Sequence, residues 1–281
     1  MVRPLVTIVL PIWKDSLYLQ QAVESCRSQS YQHLELILVD DGCSRVTQAL
    51  LEACARDDER IRIVTHGENR GLPAALNTGF AAARGQYLTW TSDDNQYRPA
   101  AIQTMVEELE AHPGVDIVYS DIVVVDAEDR VVRRDTAGDY RELISDNCVR
   151  ACFLYRRAVQ QILGGYAEDL FLAEDYDFWL RASIRFRMLP IHQDLYVYRE
   201  HRDSLTSTNK AKQQVAAGRC LERNLPHLAW ASAAEKAVAY LSWARAAQLG
   251  GDWGGACRRA WWAVRLAPLR TIRTVAGKTF W

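Results

Sequence analysis

Hydrophobic positions along the chain come in short blocks separated by polar stretches of helical period. Leu5–Ile12 is a continuous apolar run rich in β-branched residues, the pattern of a strand covered on both faces. Asp15 follows as a candidate N-cap, and Leu19, Ala22, Val23 and Cys26 then recur on one helical face. Leu34–Val39 predicts a second strand, residues 44–57 a helix, and Ile61–Val64 a third strand. The Ala-rich stretch 72–84 predicts a helix closed by Gly85, and Gln86–Thr91 a fourth strand. A helix over residues 98–112 stops at Pro113, and Asp116–Val125 reads as a fifth strand or strand pair.

Strands and helices alternating at this spacing predict an α/β layer fold with a largely parallel sheet. Right-handed crossovers place the strand C-termini along one edge, where open α/β sheets bind their ligands. Two acidic pairs, Asp40-Asp41 and Asp93-Asp94, fall at predicted strand C-termini. The pattern therefore predicts that carboxylates remote in sequence share one crevice. Beyond residue 130 it loosens. Arg133, Arg134 and Asp135 read as an exposed segment, and residues 147–163 as a short strand leading into a helix. Gly164-Gly165-Tyr166 is a turn, and Glu174-Asp175-Tyr176-Asp177 opens a predicted helix through Arg185. Leu195–Tyr198 predicts a strand followed by Glu200-His201-Arg202. From residue 209 onward only helices are predicted. Ser232 and Glu235 have capping-box spacing for a helix to Leu249, and Asp252 caps a second that ends before Pro268. The expected organisation is a sheet domain over residues 1–208 and a helical module over 209–281.

Composition changes this picture in one place. The chain of 281 residues has 34 Lys/Arg against 35 Asp/Glu, an ordinary globular balance that excludes a bulk nucleic-acid binder. Residues 229–281, however, carry eight Lys/Arg against two acids, and six of the nine Trp. Arg258, Arg259, Arg265, Arg270, Arg273 and Lys278 are interleaved with Trp261, Trp262, Phe280 and Trp281, the composition of an interfacial helix. A helical hairpin with Gly250-Gly251-Asp252-Trp253, Ala256, Ala260 and Ala263 resembles a single tetratricopeptide-type repeat, which cannot bury its own face. It must pack on the sheet domain, on another subunit in an oligomer, or on a membrane, and docking on its own domain is the simplest reading. No run approaches the roughly 18 apolar residues that span a bilayer. Leu5–Trp13 reads as a buried strand rather than a signal peptide, and seven scattered Cys point to reduced thiols in a cytoplasmic protein.

Three clusters can carry chemistry. Asp93 and Asp94 repel one another in a crevice unless a cation intervenes; oxygen ligands point to Mg²⁺ or Mn²⁺, and a helix N-cap is the alternative. Asp40-Asp41-Gly42 is either a turn or an acceptor for nucleoside N–H and hydroxyl groups. Glu174-Asp175 is either a dipole-favoured helix start or a source of a general base. His201 is either a metal ligand or a satisfied polar residue.

In order and register these pieces resemble the family 2 glycosyltransferases. The first strand Val6–Lys14, the segment Leu34–Gly42, Asn69-Arg70-Gly71 with Ala75, Asn77 and Gly79, Gly85–Asp94 and Glu174-Asp175 carry the likeness over residues 5–208. The family's Tyr-Asn is replaced by Trp13-Lys14, and Ser92 stands two places before Asp94 where many members carry Asp. The resemblance implies a GT-A fold, a Rossmann-like mixed, mostly parallel sheet flanked by helices, here with a helical C-terminal appendage. It implies that Pro11 and Trp13 line a base pocket and Asp41 accepts from a nucleobase, with a UDP-sugar favoured. Asp93 would hold ribose or sugar, and Asp94 the Mg²⁺ or Mn²⁺ that bridges the diphosphate, with His201 approaching it. Arg70 or a nearby cation would neutralise the leaving group. Asp175 would be the general base of a single displacement with inversion, since no second carboxylate presents itself as nucleophile. The acceptor would be a glycan or lipid-linked hydroxyl in surface polysaccharide assembly, at the inner face of the cell membrane. A nucleotidylyltransferase is disfavoured because no Gly-rich phosphate loop follows the first strand, and a dehydrogenase because no GxGxxG does. A non-catalytic scaffold acting through the C-terminal helices is the remaining alternative.

Overall fold

The structure is a computed structural model that describes residues 3–249 and 251–268. The first half alternates as β1 (Val6–Ile12), α1 (Leu19–Arg27), β2 (Leu34–Asp41), α2 (Arg45–Asp57), β3 (Ile61–His66), α3 (Leu72–Ala82) and β4 (Tyr87–Trp90). There follow β5 (Gln96–Tyr97), α4 (Ala101–Ala111), β6 (Ile117–Val125), β7 (Val131–Asp135), β8 (Phe153–Arg156), α5 (Arg157–Leu163), α6 (Glu174–Ser183) and β9 (Met188–Arg199). The chain then turns helical, with α7 (Leu205–Thr208), α8 (Lys210–Asn224), α9 (Ala233–Leu249) and α10 (Trp253–Leu266).

One mixed sheet runs in the order β3-β2-β1-β4-β8-β6-β9-β5, with β7 paired to β6. β1, β2, β3 and β4 are mutually parallel, so Ile12, Asp41, His66 and Trp90 all end at one edge. β8 is antiparallel to both β4 and β6, and β9 is parallel to β6, which returns the ends of β6 and β9 to that edge. Because β9 starts at the opposite edge, α6, which leads into it, has its N-terminus beside the same strand ends.

β1 and β2 are buried along almost their whole length, as their unbroken apolar runs require. Gly79 of α3 lets that helix press on Val9 and Val39, where any side chain would collide with Val9. The cluster around Val9, Val39, Phe153 and Trp179 continues without a break through Cys220, Leu221 and Leu225 to Ala237, Tyr240 and Ala263. The C-terminal hairpin thus docks on its own sheet domain, and the Arg141 guanidinium donates to the Trp230 carbonyl at 3.0 Å across the junction. Ser232 and Glu235 form the expected capping box, and the Asp252 carboxylate accepts from Gly255 N at 2.8 Å at the start of α10. All seven cysteines are free thiols.

Some expectations are corrected. Asp15 does not cap α1, whose N-cap is Tyr18 without a side-chain bond. Its carboxylate instead accepts from the hydroxyls of Ser44 and Thr47 at the start of α2. The exposed segment at 133–135 is the edge strand β7, and the strand expected at Leu195–Tyr198 runs from Met188. The basic residues Arg270, Arg273 and Lys278, with Phe280 and Trp281, lie outside the described residues.

Candidate active site

The strand-end edge opens into two adjoining clefts. One, of about 530 Å³, is lined by Pro11, Trp13, Lys14, Asp41, Gly71, Asp93, Asp94, Phe171 and Asp203 among others. The second, of about 1070 Å³, shares Lys14, Asp93, Asp94 and Asp203 with the first and adds Tyr18, Asp126, Arg130, Glu200 and His201. Carboxylates remote in sequence do share one crevice here. Arg70 and Asp175 are not among the lining residues of either cleft.

The acids of the 40–41 pair have different work. Asp40 Oδ1 accepts from Cys43 N at 2.7 Å and Oδ2 from Gln48 Nε2 at 2.9 Å, which makes it a turn-holding residue. Asp41, buried at the cleft, takes His66 Nδ1 at 2.7 Å and Arg70 N at 2.8 Å on Oδ1, and Gly71 N at 2.9 Å on Oδ2. One lone pair of Oδ2 is left. His66, in turn, has Nε2 2.9 Å from Thr78 Oγ1, so with Nδ1 donating to Asp41 it accepts from that hydroxyl. Gly42 makes the turn possible at φ +82°, where a Cβ would come within 2.7 Å of Asn69 N.

Asp93 and Asp94 do not cap the following helix, whose N-cap is Ala100. Burial, with the Asp94 charge beside it, pushes the Asp93 carboxyl up to about 7. Asp93 Oδ2 is buried without a hydrogen-bond partner. Burial also raises Asp94, opposed by His201, whose Nε2 lies 3.1 Å from Asp94 Oδ2. Lys14 also lowers both carboxyls, on Asp94 less than His201 does, and its Nζ donates to the Asp203 carbonyl at 2.7 Å. Arg199 fixes the turn from beneath. Its side chain is wholly buried, its backbone N–H donates to Asn95 Oδ1 at 2.8 Å, and its Nε to the Asp94 carbonyl at 3.2 Å. The guanidinium lies 4.2 Å from the Tyr18 ring centroid and donates to Asp129 at 2.6 Å.

Glu174 and Asp175 form the first turn of α6. An aromatic cluster seats that helix, with Phe153 4.6 Å from Trp179 and Tyr166 stacked 4.6 Å from Phe178. Asp177, by contrast, is structural, held by Arg181 at 2.7 Å and by Asn224 of α8 at 2.7 Å. Asp175 accepts from Asn147 Nδ2 at 2.9 Å and from Tyr176 N at 2.7 Å. Burial nevertheless raises it, and raises Glu174, whose Oε2 is orphaned as Asn147 Oδ1 is. Just ahead of the pair, Leu172 sits at φ +76°, a conformation rare for Leu that marks a backbone constrained by its surroundings. The Tyr198 hydroxyl is raised first by burial, and the charges of Asp94, Glu200 and Asp175 add to the rise.

Among the described residues no group of three or more His, Cys, Asp or Glu forms a complete cation cage. A carboxylate pair with one orphaned oxygen and a facing imidazole fits a partial site for Mg²⁺ or Mn²⁺, which commonly take one or two carboxylates and fill the rest with phosphate oxygens.

Residues 7–164, more than half of the chain, match the profile described as Glycosyl transferase family 2. The chain belongs to that family. It is 31% identical over 238 residues to the uncharacterized protein y4gI of Sinorhizobium fredii, covering 79% of this chain and 25% of the relative. It is 30% identical over 221 residues to the uncharacterized glycosyltransferase EpsJ of Bacillus subtilis, covering 72% of this chain and 63% of EpsJ. The family 2 chain thus spans a quarter of one relative and under two thirds of the other. Its fold is similar to that of S. aureus TarS 1-349 in complex with UDP-GlcNAc, with a TM-score of 0.69 and 14% identity over 85% of this chain and 71% of that one. The mannosyltransferase PcManGT from Pyrobaculum calidifontis, in complex with GDP-Man and Mn2+, aligns with a TM-score of 0.65 and 20% identity, over 97% of this chain and 84% of that one. These likenesses show the GT-A fold, a mixed sheet flanked by helices, extended here by α9 and α10.

Asn77, a motif position that lines neither cleft, has a packing reason. Asn77 of α3 clamps the Tyr166 backbone, donating to its carbonyl at 2.9 Å and accepting from its N–H at 2.8 Å. Sequence reasoning missed His66, Lys14, Asn147 and Arg199. Lys14 closes the first-strand motif and His66 lies two residues beyond the predicted third strand; Asn147 and Arg199 carried no local signal.

Proposed function

We propose that this family 2 chain transfers a sugar from a nucleotide-diphospho-sugar, UDP-linked by preference, to an acceptor hydroxyl with inversion. The observation that carries this reading is the single cleft lined by Pro11, Trp13, Asp41, Asp93 and Asp94. Trp13, half exposed, offers a face on which a base stacks beside Pro11. The remaining lone pair of Asp41 accepts a nucleobase N–H, as uracil N3–H provides. Asp93 receives a ribose or sugar hydroxyl on its orphaned oxygen. Asp94 and His201 would hold Mg²⁺ or Mn²⁺, which supplies charge neutralisation at the diphosphate when bound. Lys14 stands at the same wall and adds a fixed positive charge for the leaving group. Arg70 contributes its backbone N–H to Asp41, and its exposed side chain has no assigned role at the diphosphate.

Asp175, aligned by Asn147, takes the proton of the acceptor hydroxyl as that oxygen bonds to the anomeric carbon. The bond from that carbon to the diphosphate oxygen breaks on the opposite side, and nucleoside diphosphate leaves. A raised carboxyl is suited to the task, because a stronger base accepts a proton more readily. The acceptor class, a glycan or lipid-linked hydroxyl, follows from the family resemblance.

A thermal-shift panel of nucleoside diphosphates with Mn²⁺ tests the binding half, since a ligand of the folded state raises its melting temperature by mass action. UDP should shift the melt most, and Asp94→Asn should remove the metal-dependent part. No shift with any nucleotide would favour the scaffold reading. Anomeric NMR of the product tests the chemistry; retained configuration would refute single displacement.

A further inference from the structure

α10 turns two different faces to its surroundings. Inward lie Gly255, Ala256, Arg259 and Ala263, all buried, with the Arg259 guanidinium paired to Glu222 of α8 at 2.7 Å. Outward lie Trp253, 63% exposed, Trp261, 53%, Val264, 47%, and Trp262, 39%, with Arg265 among them and Arg258 at the edge of the face, its Nε 3.9 Å from the same Glu222 carboxylate. The Arg265 guanidinium rests 5.2 Å from the centroid of Trp261 and 5.6 Å from that of Trp262. No acidic residue occurs between Trp253 and Pro268. Large aromatics left in water at this density are unusual in a protein whose other aromatics are mostly buried.

We propose that this outer face of α10 binds the surface of an anionic lipid bilayer, lying in the interface plane. The proposal stands apart from the transferase reading. Indole rings favour the boundary between headgroups and acyl chains, and guanidinium groups beside them meet lipid phosphates. No described helix is long and apolar enough to cross a membrane, so the contact is peripheral at this element. Charge complementarity selects the partner: the chain as a whole is near neutral, yet residues 229–281 hold eight of its cations against two acids. A second copy of the chain is a poorer occupant, because a two-fold contact through this face sets Arg258 and Arg265 against their own counterparts. An acidic protein would answer the arginines and leave the exposed indoles unexplained.

Flotation of the full chain with vesicles tests this. The protein should float with phosphatidylcholine vesicles containing phosphatidylglycerol, stay behind with phosphatidylcholine alone, and be released as salt rises. Tryptophan fluorescence should shift to the blue on binding. Arg265→Glu, at an arginine outside the Glu222 ion pair, should weaken vesicle affinity by about tenfold or more, with the melting temperature and the nucleotide thermal shift unchanged. Trp253→Ser with Trp261→Ser should lower it as well. Absence of flotation, equal flotation with neutral vesicles, or undiminished binding by the charge-reversed protein overturns the proposal. So does a concentration-dependent dimer that Trp261→Ser dissolves in a protein that does not float. Should a variant fail to fold, the salt release and lipid dependence of the unaltered chain still decide the matter.

Discussion

Asp175 accepts two hydrogen bonds and is still raised by its burial, so it is a base tuned upward from the ordinary carboxylate range. A general base acts deprotonated, hence turnover should rise with pH through a value above that range, and the acid limb of the kcat profile should sit correspondingly high. Asp175→Asn should lower kcat by about 10² to 10⁴ while leaving the nucleotide thermal shift in place; loss of that shift would mean that Asp175 binds rather than reacts. Glu174 gives a second pH signature. Its carboxyl is pushed up to about 8 by burial and by Asp175, so the fold favours the protonated acid. The stability this contributes is present at low pH and is lost as pH rises from the ordinary glutamate range through about 8. Glu174→Gln has no proton to lose, and its melting temperature relative to the unaltered chain should climb across that window. Asp94 and Glu174-Asp175 stood out as candidates in the sequence because paired acids at strand ends and helix starts are few and have a stated chemistry. Asn147 and Arg199 did not, since each acts on a residue 28 or more positions away, and nothing singles Arg199 out within the charged run 199–203. Arg199→Met should raise the Mn²⁺ requirement of nucleotide binding, while Arg199→Lys recovers only part, because one ammonium cannot serve the Asp94 carbonyl and Asp129 in the same geometry.

Elements were easier to read where burial is complete. β1 and β2 announce themselves as apolar runs, whereas β9 carries exposed His192 and Gln193 in its middle, and that interruption hid half of the strand. Asp15 was misread because a cap looks local in sequence; its true partners, Ser44 and Thr47, are reached only when β1 and β2 lie side by side. The start of α9 was read correctly since a capping box is complete within four residues. Its Ser232 hydroxyl accepts from Glu235 N at 3.2 Å, and Ser232→Ala should cost about 1 kcal/mol, measured by denaturant unfolding. The turn after β2 is less forgiving: Gly42→Ala brings a methyl against the backbone at Asn69 and strains a positive φ, so both stability and nucleotide binding should fall together.

At the scale of the whole molecule, the sheet domain and the C-terminal hairpin share one apolar core, from Val9 through Trp179 and Leu221 to Ala263. The expected boundary at residue 208 therefore separates folds in the sequence and no cores in space. A calorimetric scan should show one unfolding transition, and Ala263→Asp should lower it as a unit; two transitions would mean the hairpin melts on its own. The common edge was legible because strand ends gather in any right-handed α/β layer. The second cleft was not, because Asp126 and Arg130 line it from the turn between β6 and β7, and the edge strand β7 was not read as a strand in the sequence.

The buried oxygens of Asp93, Asn147 and Glu174 that lack partners set a direction for anyone who engineers this protein. Groups dehydrated in the resting fold without a partner make that fold less robust than its sequence could allow. Selection for heat resistance alone should accumulate Asp93→Asn, Glu174→Gln and apolar replacements at such positions, and yield sturdier proteins that no longer work. Libraries meant to keep the activity would hold these three sites fixed and look for gains at the far edge of the sheet.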